Sequence, residues 1–145
     1  MTQYSKRARA KGMQGFTLIE LMVVVLVVAI LAGIAFTSYD FAMVKTRRGA
    51  AEGCLMEQAQ FMERYYTVGT GSTLFTYTGA VPPACSADVT PHYTVAAPTI
   101  PADGKSFTLS AVPKGRQAAK DTKCGTLTLN HQGVKGAAGD VGYCW

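Results

Sequence analysis

Glu20 is the one charged residue in an otherwise apolar stretch running from Phe16 to Phe36. A carboxylate in such a setting is costly and needs a partner of opposite charge. No Lys or Arg lies within helical reach on its C-terminal side, so that partner has to come from elsewhere. A second chemical feature is cationic. Lys114, Arg116, Lys120 and Lys123 surround Asp121, giving four positive charges to one negative on a loop between two candidate strands. Such a loop can contact phosphates. No aromatic residue lies within 114–123 to stack a base, so a solvated loop or a subunit contact is the plainer account. The third feature is thiol chemistry. Cys54, Cys85, Cys124 and Cys144 all lie beyond the apolar stretch. Four cysteines allow three pairings, and with no Cys-x-x-Cys and no nearby histidine pair the spacing does not suit zinc.

The remaining polar residues do not assemble a reaction centre. His92 and His131 read as surface residues at a strand edge and in a turn, not as bases or ligands. Asp88, Asp121 and Asp140 are scattered without calcium-loop spacing. Asp103-Gly104 and Asn130-His131-Gln132-Gly133 read as turns. Glu63 and Arg64 are adjacent, do not face each other on a helix, and read as solvated charges. The sequence calls for no enzyme activity, cofactor or metal.

The elements that position these groups follow from hydropathy and spacing. At about 1.5 Å rise per residue, 16–36 just spans a bilayer core as a helix. Lys6, Arg7, Arg9 and Lys11, with no acid in 1–15, hold the N-terminal end on the cytoplasmic side. A secretory signal has a short apolar region with small residues after it. Here the apolar stretch is long and Gly15 precedes it. Beyond Phe36 the pattern turns amphipathic, with Ala51, Leu55, Ala59, Met62 and Tyr66 on one face, flanked by Cys54 and Tyr65, and Arg48, Glu52, Gln60, Glu63 and Arg64 turned away. The helix is expected to run over 16–68 and stop at Gly69 and Gly71. A Gly-, Pro- and Thr-rich connection follows over 70–91, with one short strand at 74–77. Strands are expected at 93–97, 107–112 and 126–130, forming an antiparallel meander whose apolar face covers the helix. The segment 133–145 reads as an irregular loop held by Cys144. Trp145 is open between capping that loop and contacting a partner.

Of fourteen Lys+Arg, the four in 1–15 are orientation signals. The remaining ten against nine Asp+Glu leave 16–145 near neutral, so the global charge of +5 is no argument for nucleic-acid binding. A single head beyond a membrane anchor would lie in an oxidising compartment.

The run Gly15-Phe16-Thr17-Leu18-Ile19-Glu20-Leu21 resembles the N-terminus of type IV pilin precursors. Glu63-Arg64-Tyr65-Tyr66, Lys123-Cys124-Gly125-Thr126-Leu127-Thr128-Leu129-Asn130, Gly136-Ala137-Ala138-Gly139 and Cys144-Trp145 resemble the type IVa minor pilins of the PilE kind. Residues 70–120 carry little of the likeness. The resemblance implies an α+β pilin fold: a long N-terminal helix, membrane-spanning in its first half, packed on a small antiparallel sheet with a disulfide-bounded C-terminal loop. It implies cleavage between Gly15 and Phe16 by prepilin peptidase and N-methylation of Phe16. It gives Glu20 an assembly role, neutralising the N-terminal amine of a neighbouring subunit. It implies a Cys124–Cys144 disulfide, which leaves Cys54–Cys85 by elimination.

The expected organisation is a leader at 1–15, a helix at 16–68 and a head at 69–145. The protein would wait in the inner membrane as a single-pass protein, head in the periplasm, and then join an extracellular pilus with other major and minor pilins. Its roles there would be pilus initiation, adhesion, twitching motility or DNA uptake. Two alternatives remain open. One is a DNA-binding pilin receptor for transformation, using Lys114, Arg116, Lys120 and Lys123. The other is a type II secretion pseudopilin. The chain departs from a common pilin pattern at Thr37, where a proline often stands before Ser-Tyr, so the usual kink is expected to be weaker.

Overall fold

Helix α1 (Leu18–Val68) carries the chain from its apolar stretch into the head. The computed structural model describes residues 15–69 and 74–145. Lys6, Arg7, Arg9 and Lys11, expected in a leader, and Gly71 lie outside the described residues. The helix runs unbroken through position 37. Its start is marked by Thr17, whose hydroxyl accepts from the Glu20 amide at 3.3 Å. At its far end the Gly69 amide donates to the Tyr65 carbonyl.

The chain divides into two compact units, 1–39 and 40–145. In the first, Phe16 through Phe36 leave their large apolar side chains open, Phe16 at 77% and Leu31 at 60% exposure. The most apolar window has a mean hydropathy of 3.0 and none of it is buried. By length and composition this helix can cross a membrane.

The second unit is built on a four-stranded antiparallel sheet in the order β1-β2-β3-β4. The strands are β1 (Tyr93–Val95), β2 (Thr108–Pro113), β3 (Leu127–Asn130) and β4 (Lys135–Gly136). Register follows alternation: Leu109 opposes Leu129 and Ala111 opposes Leu127. Those four, with Phe107, turn inward and join Ala51, Leu55 and Met62 of α1 in one core. Burying each of the large side chains contributes roughly 1.5–3 kcal/mol. Tyr77 bridges helix and sheet, its ring 4.6 Å from Tyr66 and 4.9 Å from Phe107, and its hydroxyl donates to Glu63 at 3.0 Å. Glu63 is therefore a hydrogen-bond partner and not merely a solvated charge.

Three expectations are corrected. Residues 74–77 form turns, not a strand. Phe75 adopts φ 59°, a left-handed conformation that breaks an extended run, and its amide donates to the Tyr66 carbonyl. The segment 133–145 is not irregular. It supplies β4 and a short helix α3 (Val141–Cys144), capped by Asp140, whose side chain accepts from the Tyr143 amide. Gly139 permits this closure, because a Cβ there would collide with the Lys123 carbonyl. Third, the basic segment between β2 and β3 is not a loop throughout. It holds a helix α2 (Gly115–Lys120), which the short polar run between two strand patterns concealed.

Candidate nucleic-acid interface

The four cations singled out in the sequence are parted by α2. Arg116 is spoken for: its Nη2 lies 2.7 Å from both carboxylate oxygens of Asp40 on α1. The pair is exposed, 64% and 46% for the two side chains, so it adds little stability. It does neutralise one of the four charges. Lys114 precedes α2 and donates its amide to the His92 carbonyl at 2.9 Å. Lys120 closes α2 in its last turn. Lys123 lies beyond the buried turn and faces the C-terminal loop, lining an open cleft of about 340 Å³ with Asp140 and Tyr143.

Between them sits a polar hub that the sequence reading missed. Arg48, expected on the solvent face, and Asp121, expected among scattered acids, are instead buried, 4% and 3% exposed. Arg48 Nη1 donates to Asp121 Oδ1 at 2.7 Å and also lies 2.8 Å from Cys124 Sγ. Asp121 Oδ2 accepts from the Tyr93 hydroxyl at 3.0 Å and from Gln117 Nε2 at 3.2 Å. Gln117 also donates to the Val44 carbonyl at 3.0 Å. The hub thus ties α1, β1 and α2 together beside a disulfide. Burial pushes the Tyr93 phenol well above its ordinary range, opposed by the Gln117 hydrogen bond and reinforced by Asp121. Glu52 lies 3.9 Å from Arg48. Its burial outweighs that long ion pair and raises its pKa from the usual carboxylate range. A hint was present in the sequence: Gln117 and Asp121 are four apart and share one helix face.

The tertiary structure supplies what 114–123 lacks, namely aromatic rings beside cations. Tyr143, 47% exposed, stands over Arg48, whose guanidinium carbon is 5.3 Å from the ring centroid. Lys135 Nζ is 5.0 Å from the Trp145 ring, within cation–π range. Trp145 Nε1 donates to the Gly136 carbonyl at 2.9 Å, which fixes the indole against β4. Lys45, Tyr143 and Trp145 line a cleft of about 200 Å³ between α1 and the C-terminal loop. Lys45, Lys123 and Lys135 are exposed. Cations that attract a polyanion and rings that can meet bases thus share one face.

The disulfides hold that face. Cys124 pairs with Cys144 across 20 residues and Cys54 with Cys85 across 31. The first pins α3 to the start of β3, and the second pins the 80–91 connection to α1. Of the remaining site residues, Gly15 has open space where a side chain would stand, and Phe16 and Glu20 are exposed. Among the described residues no group of three or more His, Cys, Asp or Glu could hold a metal ion.

Residues 37–128 match the family described as "Type IV minor pilin ComP, DNA uptake sequence receptor", and residues 10–36 match the prokaryotic N-terminal methylation motif. No curated protein matches the chain. A solved structure of a type IV pilin from Shewanella oneidensis shares 34% sequence identity. The alignment covers 70% of this chain and 97% of that one, with a TM-score of 0.53.

Proposed function

The chain belongs to the ComP family of type IV minor pilins, and from that premise we propose that it is a DNA-contacting subunit of a type IV pilus. It is made as a precursor, cut by prepilin peptidase between Gly15 and Phe16 and methylated on the new Phe16 amine. The 16–36 segment holds it in the inner membrane, head in the periplasm, until it joins a pilus with other pilins. Glu20 then meets the amine of a neighbouring Phe16. This is the opposite charge it lacks among the described residues of its own chain, where no ion pair to it is seen.

The observation that carries the DNA reading is the extent of the family match. It covers 37–128, which is mostly head. The methylation motif ends at residue 36 and is a property of the anchor. The C-terminal face of Lys45, Lys123 and Lys135 with Tyr143 and Trp145 supports the reading chemically. Lys114 and Lys120 are the second candidates, while Arg116 is held by Asp40.

The test is binding of full-length protein in detergent to a double-stranded oligonucleotide across a salt series. If three lysines contact phosphates, the slope of log K against log salt carries about −0.9 from each, and every Lys→Ala change at 45, 123 or 135 flattens it by that amount. Unchanged slopes in all three variants would remove the C-terminal face from the interface. Absence of DNA binding by the wild type would remove the receptor role. Intact mass of protein from sheared pili checks the rest: a methylated terminus at Phe16, at low stoichiometry, is expected.

A further inference from the structure

Helix α2 is moored to α1 by two contacts of unlike kind. Gln117 is fully buried and donates from Nε2 to the Val44 carbonyl at 3.0 Å. Its neighbour Arg116 reaches Asp40, one turn before Val44 on α1, with Nη2 at 2.7 Å from each carboxylate oxygen. The first contact is sealed in the head. The second stands in solvent, both side chains exposed. Arg116 and Lys120 are four residues apart on α2 and share one face. Lys114, which precedes the helix, and Lys120 are exposed, and among the described residues no ion pair engages either. Burial decides which pairs can be exchanged. Parting Arg48 from Asp121 would leave desolvated charges without a partner. Parting Arg116 from Asp40 returns both groups to water, and an exposed pair holds them only weakly. The carboxylate gives Arg116 two oxygens carrying one negative charge, which is also what a phosphodiester presents, and guanidinium suits either.

We propose that Asp40 is an internal stand-in for phosphate: it occupies Arg116 in the free protein, and a DNA backbone phosphate displaces it, so that Arg116 joins Lys114 and Lys120 in a second contact on α2. This rests on the reading of the protein as a DNA-contacting pilin and adds to it a contact that Asp40 restrains. A phosphate that reaches the guanidinium also meets the Asp40 carboxylate, and like charges side by side are unfavourable, so one replaces the other. A small anion gains a single partner by doing so. A polyanion gains the flanking lysines as well and releases condensed counterions, so the exchange favours nucleic acid over small anions. The buried Gln117 contact holds α2 on α1 throughout.

The experiment is a double-mutant cycle on the affinity of full-length protein in detergent for a double-stranded oligonucleotide. Asp40→Asn removes the competitor and tightens binding by up to about fivefold, the whole worth of an exposed pair. Arg116→Ala weakens binding and flattens the slope of log K against log salt by about 0.9. In the double variant Asp40→Asn has nothing left to release, and affinity falls back to that of Arg116→Ala alone. If Asp40→Asn tightens binding equally with and without Arg116, Asp40 acts only as a general negative charge and the exchange is wrong. It is equally wrong if Arg116→Ala leaves the slope unchanged. In both cases the wild type still binds DNA and the receptor reading stands. Should a variant fold poorly, the Asp40 carboxyl carbon signal by NMR in the unaltered protein reads the same event: it moves as DNA is added, and a signal that stays put overturns the exchange. If vesicles of anionic phospholipid move that signal and the oligonucleotide does not, the DNA contact proposed here is wrong. If the wild type binds no DNA at any salt, the receptor reading and this contact fall together.

Discussion

Replacing Asp121 with Ala should unfold the head far more readily than its removal of one short side chain suggests. Arg48 would lose its 2.7 Å partner while remaining buried. Glu52, at 3.9 Å and itself disfavoured as an anion by burial, is too distant to replace it. The Tyr93 hydroxyl and one Gln117 bond would lose their shared acceptor as well. Breaking a buried ion pair by deleting one member costs about 3–5 kcal/mol, and the two neutral donors put this case toward the upper end. Domains of this size have roughly 5–15 kcal/mol in total. In contrast, Arg48→Met combined with Asp121→Leu removes both charges and keeps apolar volume, so it should cost less than Asp121→Ala alone. Urea unfolding of the detergent-solubilised chain, disulfides intact, followed by fluorescence of its single tryptophan, Trp145, reads the difference. With a slope of about 2 kcal/mol per molar urea, the single variant moves the midpoint down by about 2 M. A shift under about 0.5 M, or a double variant weaker than the single, would refute the account of the hub as a charge-compensated buried pair.

Four further outcomes are expected. Glu20→Ala should insert in the membrane normally and be missing from sheared pili; normal incorporation would show that the amine of a neighbour does not need this carboxylate. Glu52→Gln should raise the melting temperature near neutral pH and have progressively less effect as pH falls. The reason is that a carboxyl with a raised folded-state pKa subtracts stability as pH rises through its titration, so a pH-independent effect would contradict it. Cys124→Ser with Cys144→Ser should cost about 3 kcal/mol from the 20-residue separation by chain entropy, and should weaken DNA binding by freeing α3, checked by urea melts and the oligonucleotide assay. Gly139→Ala should disturb the Lys123–Tyr143 edge, since the added methyl meets the Lys123 carbonyl. Retained DNA affinity together with unchanged stability would show that this edge neither packs nor binds as described.

The local signals in the sequence were strong where one physical requirement acts on neighbouring residues. A long apolar run with one acid, preceded by a basic stretch, is legible as a membrane-length helix without reference to anything distant. The core face of α1 and the buried faces of β2 and β3 were legible for the same reason, because periods of 3.6 and 2 are local consequences of helix and strand geometry. The tertiary structure decided what depends on distant partners. Whether Arg48 faces water or the interior turns on Asp121, 73 residues away, and no periodicity encodes that. Arg116 groups with its cationic neighbours in the sequence, but Asp40, 76 residues earlier, holds it. The rings absent from 114–123 arrive from Tyr143 and Trp145, and the cations beside them from Lys45, Lys123 and Lys135. The sequence named the ingredients of an anchored, disulfide-braced pilin. Only the packing of helix against sheet, through a buried charge pair and two disulfides, determined which charges remain exposed to meet another molecule.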